Sequence, residues 1–213
     1  MDSLIADALR EHQETAQRMD ACSDIIQQVG ASIIQTIRNG SKVFICGNGG
    51  SAADAQHFAA ELTGRFERER RALPAVALTT DTSALTAIGN DYGFDFIFSR
   101  QLAALARPGD LMVAISTSGS SRNVLQAVSY VKANQITTIG LMGRDGGQLA
   151  REVESALVVP ADRHVADKIL RERVRKQGMA RVRTDDYGNE AVCKEILIQI
   201  VPNQATNTVG QSS

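Results

Sequence analysis

Residues 42–65 read KVFICGNGGSAADAQHFAAELTGR. The segment opens on an apolar run, Val43-Phe44-Ile45-Cys46, of the kind a strand buried on both faces carries. It breaks at Gly47-Asn48-Gly49-Gly50-Ser51 and resumes as Ala52 to Leu62, rich in helix formers. Strand, glycine-rich turn and helix N-terminus together make a place where an anion can sit. The first backbone N–H groups of a helix lack intrahelical partners, the helix dipole favours negative charge there, and glycines let a ligand approach the backbone. Further along the same helix, His57 and Glu61 stand four residues apart and so share one face. An imidazole and a carboxylate so placed can share a divalent metal, or can form an ordinary surface pair.

A second loop has the same logic. Leu111 to Ile115 is an apolar run that passes directly into Ser116-Thr117-Ser118-Gly119-Ser120-Ser121 and then a helix from Asn123 to Ala133. A single serine would cap that helix. Five hydroxyls around one glycine suit a phosphate, whose oxygens they can surround without a lysine or a metal.

Around these two units strands and helices alternate. Further strands are expected at Pro74 to Thr79, Ile136 to Met142 and Ala156 to Pro160, and helices at Ser83 to Ile88, Phe94 to Ala106 and after Gly146-Gly147. Asn90-Asp91-Tyr92-Gly93 reads as turn chemistry. The alternation predicts an α/β fold with a five-stranded parallel sheet flanked by helices, and such sheets bind ligands beyond the carboxyl ends of their strands. Two helices precede the first strand, over residues 3–38. Ile25, Ile26, Val29, Ile33, Ile34 and Ile37 form a wide β-branched stripe, fuller than the Leu4, Ile5, Ala8, Leu9 stripe before it. The fuller stripe serves either to cover the sheet or to join copies of the chain, and its width favours the interface.

Composition excludes several classes. With 43% hydrophobic and 22% charged residues and a net charge of −1, nothing draws the chain to nucleic acid or to a membrane surface. No apolar run approaches the roughly 18 residues a membrane helix needs. No basic-then-apolar leader is seen, and Cys22, Cys46 and Cys193 form no CxxC, which suits a cytoplasmic protein. Gly47 to Ala52 formally fits G-x-G-x-x-A, but the acidic residue a dinucleotide site needs about 20 positions on is out of place, Asp81 lying farther along. There is no GxxxxGK[ST].

CGNGGSAADAQHFAAELTGRF, AIGNDYGFDFIFSRQL and GDLMVAISTSGSSRNVLQAV together resemble the SIS (sugar isomerase) domain and, within it, the bacterial phosphoheptose isomerases, which act on sedoheptulose 7-phosphate on the way to heptose glycoconjugates such as lipopolysaccharide. The likeness implies a flavodoxin-like sheet and a homotetramer with active sites between subunits. It implies substrate contacts from Asn48, Gly49, Gly50, Ser51, Asn90, Asp91, Ser116, Thr117, Ser118 and Ser121, with Arg65 near the site. It implies zinc held by His57 and Glu61, with Glu61 also the acid/base group. The organisation expected is an N-terminal helical hairpin over 1–40, a phosphosugar-binding core over 41–167 and an atypical, partly disordered segment over 168–213.

That last segment departs from the family pattern. Leu170 stands where the family has a glutamine and Gly178 where it has a helical histidine, and residues 171–184 are rich in arginine rather than apolar. Natural divergence, a reading-frame change near codon 170, or a basic appendage with its own partner would each account for it. His164 is the remaining histidine of the C-terminal half. The alternative to an isomerase is a catalytically incomplete SIS-domain protein that binds a phosphosugar or another protein, as do relatives that associate with a replication initiator.

Overall fold

A computed structural model describes residues 2–65 and 69–160, with the side chains of 2–5 and 8 left aside. Expectations about His164, Leu170, Gly178, Cys193 and the whole 168–213 segment lie outside the described residues. Two helices, α1 (Asp2–Arg18) and α2 (Ser23–Arg38), precede β1 (Val43–Cys46) and α3 (Gly50–Thr63). The chain continues through β2 (Ala75–Ala77), α4 (Thr82–Tyr92), α5 (Ser99–Leu105), β3 (Leu111–Ser116) and α6 (Arg122–Ala133). It then forms β4 (Thr137–Met142), α7 (Leu149–Glu152) and β5 (Ser155–Val158).

The five strands form one parallel sheet in the order β2-β1-β3-β4-β5. Strand periodicity sorts the core into two layers. Val43, Ile45, Leu111, Val113 and Ile115 face α2 and α3, while Phe44, Cys46, Met112 and Ala114 face α5 and α6. After β1 the chain turns to β2 on one side, and it later returns to β3 on the other. The order therefore reverses between β1 and β3, and the loops leaving their carboxyl ends splay apart to leave a crevice. Cys46 pairs with Ala114, so the two glycine- and serine-rich loops begin side by side.

Four expectations are corrected. The α2 stripe lies on the sheet: Ile26, Val29, Ile33, Ile34 and Ile37 are buried in the core beside β1 and β5. A wide β-branched face is what a helix needs to cover a twisted sheet, so it is not left over for another copy; on α1, Leu9 is 61% exposed. β2 is shorter than the expected Pro74 to Thr79 run, covering only Ala75–Ala77 at the edge of the sheet with Val76 36% exposed, as suits a run that starts at a proline. α4 does not stop at Gly89. A glycine inside a helix costs only about 1 kcal/mol, and the helix carries Asn90 and Asp91 through to Tyr92, ending where Gly93 adopts φ +93°. The single helix expected from Phe94 to Ala106 is a 3-10 turn, Phe94–Phe96, followed by α5.

At the other end of the strands from the crevice, buried Asp110 ties down the starts of β1 and β3. Its carboxylate accepts from the Lys42 and Arg107 backbone N–H groups, each at 2.9 Å, and from Lys42 Nζ at 3.1 Å. Among the described residues no helix is long and apolar enough to cross a membrane.

Candidate active site

The crevice between β1 and β3 holds a cavity of about 250 Å³. Its walls are Asn48, Gly49, Gly50 and Ser51 from the first loop and Ile115, Ser116, Thr117, Ser118 and Ser121 from the second. The substrate contacts expected from those two loops therefore line one cavity, while the fifth hydroxyl, Ser120, lies outside it and donates to the Ser118 carbonyl at 3.1 Å. Gly47 is required by crowding, since a Cβ there would lie 2.7 Å from Ser51 Cβ and 2.9 Å from the Ile115 carbonyl. Gly49 precedes α3 at φ +54° with no side chain capping the helix, which leaves its first turn approachable by a ligand.

The serine loop is not an ordinary capped loop. Ser121 precedes α6 but makes no side-chain cap; its Oγ lies 3.0 Å from Ser116 Oγ. Within the first turn of α6, Asn123 Oδ1 accepts from the neighbouring Val124 N–H at 3.0 Å. Hydroxyls are thus gathered at the crevice rather than turned back to the helix. The loop is braced from behind by the turn after β4. The Leu149 N–H donates to the Gly119 carbonyl at 2.9 Å and the Gly143 N–H to the Thr117 carbonyl at 3.2 Å. Gly119, at φ +61°, packs so closely that a Cβ would fall 1.9 Å from the Gly146 carbonyl oxygen.

The stripe that buries α3 also sets where its polar residues go. Ala55, Phe58, Ala59 and Leu62 face the core, so His57 and Glu61 face outward. His57 Nε2 is 3.6 Å from Glu61 Oε1, with the side chains 47% and 27% exposed. Two donors on one tetrahedral zinc, each about 2.0–2.2 Å from the ion, lie roughly 3.4 Å apart. The pair fits two positions of such a site, and the described residues contain no group of three His, Cys, Asp or Glu that would complete it.

Sequence reasoning missed two residues. Asn123, 2% exposed, joins its amide reciprocally to that of Asn48, both N–H···O distances being 2.8 Å. Arg70 caps the carboxyl end of α3, donating through Nη2 to the Glu61 carbonyl and through Nη1 to the Leu62 carbonyl at 2.8 Å and the Arg71 carbonyl at 3.0 Å. Burial pushes its pKa down, with the nearby Glu61 charge acting in the opposite sense. Arg70 comes seven residues after the end of α3 and Asn123 lies 75 residues from Asn48, so nothing local announces either.

Three expected residues lie elsewhere. Asn90 and Asp91 are exposed on the last turn of α4, outside the cavity walls, with Asn90 Nδ2 donating to Asp91 Oδ1 at 2.8 Å. Arg65 follows α3, is 70% exposed and pairs with Glu69 at 3.5 Å. It lies beyond the carboxyl end of α3, the opposite end of that helix from Ser51. Asp81, considered above for a ribose contact, is the N-cap of α4, accepting from the Ala84 N–H at 2.9 Å.

The chain is similar to known proteins over most of its length. The SIS domain family matches residues 9–143. The phosphoheptose isomerase of Aliarcobacter butzleri is 53% identical over 163 residues, 76% of this chain and 86% of that protein. That of Campylobacter concisus is 54% identical over 159 residues, 75% of this chain and 84% of that protein. The solved structure of phosphoheptose isomerase GmhA from Neisseria gonorrhoeae superposes with a TM-score of 0.75 at 40% identity, covering 95% of this chain and 96% of that one. With its sheet order, its paired phosphate-type loops and this likeness over most of its length, the chain belongs to the SIS-domain phosphoheptose isomerase family.

Proposed function

We propose that the chain is an aldose–ketose isomerase that interconverts sedoheptulose 7-phosphate and D-glycero-D-manno-heptose 7-phosphate in the cytoplasm. The observation that carries this reading is the layout along α3, which joins a hydroxyl-lined cavity at its first turn to a histidine–carboxylate pair further on. His57 and Glu61 lie about 9 and 15 Å along the axis from Ser51, and helical side chains lean back toward the N-terminus. An extended seven-carbon chain with its phosphate spans roughly 10 Å at ordinary bond lengths. A heptose phosphate held by Ser116, Thr117, Ser118, Ser121 and the α3 amides would extend its carbonyl end along α3 in the direction of His57 and Glu61.

Moving the carbonyl from C2 to C1 takes a proton from C1 and returns it to C2 through an enediol, with an O–H proton passing from O1 to O2. Glu61 is the base that takes the carbon-bound proton and gives it back on the neighbouring carbon. Arg70 fixes the backbone of that residue. The phosphate, remote from the reacting carbons, supplies binding energy that orients the chain. A zinc ion would be held by His57 and Glu61 with further ligands from elsewhere, and the chemistry it supplies is polarisation of the carbonyl oxygen.

The proposal extends to a homotetramer in which the exposed Asn90, Asp91 and Arg65 serve a site shared between copies. The test is isomerisation of sedoheptulose 7-phosphate by the purified 213-residue protein, with and without added zinc, together with sedimentation. Turnover supports the enzyme. Tight sugar phosphate binding with no turnover under either condition would assign the chain to the binding proteins of the same fold.

A further inference from the structure

We propose that Asn123 is a positioning residue that sets the spacing of the two phosphate-gripping loops through the amide of Asn48. The inference rests on the sugar phosphate reading of the cavity and deepens it. Asn123 is the second residue of α6 and is buried, while Asn48 lies 75 residues earlier in the loop after β1 and lines the cavity. Each amide donates one N–H to the other's oxygen at 2.8 Å, closing a ring of two hydrogen bonds.

The orientation of that ring is fixed by the backbone. The Val124 N–H can only donate, so the atom facing it at 3.0 Å must be Asn123 Oδ1. Asn48 is then obliged to present its NH₂ to that oxygen and its own oxygen to Asn123 Nδ2. One backbone amide of α6 therefore dictates which way the Asn48 side chain lies, and leaves it one N–H beyond the pair in the wall of the cavity. Asn123 is buried and Asn48 half-buried, and the reciprocal pair of hydrogen bonds holds the two loops in one register. A phosphate gripped from both sides is sensitive to the separation of the two loops, and the amide pair spans that gap.

Inorganic phosphate and sedoheptulose 7-phosphate are titrated against the full chain and against N48A, N123S, N123A and N48A/N123S. Serine at 123 can still accept from the Val124 N–H but cannot reach Asn48, so N123S keeps the start of α6 if N123A fails to fold. The expected result is a loss of about tenfold in affinity for both ligands in N123S, matching N48A, as for loss of a buried hydrogen bond. KM rises with it, and kcat falls less. In the N48A background, adding N123S costs less than about twofold more, because the two residues act as one unit. Wild-type affinity in N123S, or a full additional loss on top of N48A, overturns the proposal. If the unaltered protein binds neither ligand, the cavity reading itself falls and takes the inference with it.

Discussion

At its first turn α3 is enclosed. Gly50 and Ser51 are buried, Gly47 is pressed against Ser51 and the Ile115 carbonyl, and Asn123 ties the neighbouring loop across the crevice. Two turns on, the same helix is open: His57 and Glu61 face outward, 3.6 Å apart. The difference follows from where the partners come from. The first turn is walled by loops that the sheet brings together at the reversal of strand order, so a single fold completes it. The outward face of a surface helix is completed only by something laid over it. The proposed reading thus assigns binding to the enclosed turn and chemistry to the open face, so that each could be damaged separately.

The sharpest way to separate them is Glu61→Gln. Turnover should fall by about 10²–10⁴-fold, the usual contribution of a positioned acid/base group, while the sugar phosphate dissociation constant stays near that of the unaltered protein. Activity at the normal rate in this variant would remove Glu61 from the proton transfer. Gly119→Ala attacks the other region. Its new methyl meets the Gly146 carbonyl at a left-handed backbone position, so roughly 2–4 kcal/mol of stability should be lost in a denaturant titration, with weaker phosphate binding. A variant as stable as the parent would mean that the brace behind the serine loop is slack. The smallest effect expected is from Ser118→Ala, about tenfold in sugar phosphate affinity for one lost hydrogen bond to a charged ligand. An unchanged dissociation constant would take that hydroxyl out of the site.

The same contrast explains what could be read from the sequence. β1, its glycine loop and α3 were legible because strand period, turn residues and helix stripe all lie within one short segment. The serine loop was legible for the same reason, hydroxyls in excess of what a cap needs. Gly89 misled, since a single glycine was given the weight of a helix stop although Gly93 does that work with its positive φ. The stripe on α2 was visible, but its destination depended on a sheet assembled from residues far along the chain. Asn123 was not legible at all: its partner is 75 residues away, and nothing beside it in sequence distinguishes it from an ordinary residue in the first turn of a helix.

The described walls of the cavity contain hydroxyls, amides and glycines but no lysine or arginine. The described walls would meet a dianion with oriented dipoles, whose reach is short, rather than with a cationic side chain of their own. Dipole fields fall off faster than Coulomb attraction, and mobile ions weaken chiefly the long-range part. Affinity for the phosphate should therefore change little between dilute buffer and the ionic strength of a cell, and the cavity should distinguish a phosphate monoester by shape and donor geometry where a basic groove would accept any polyanion.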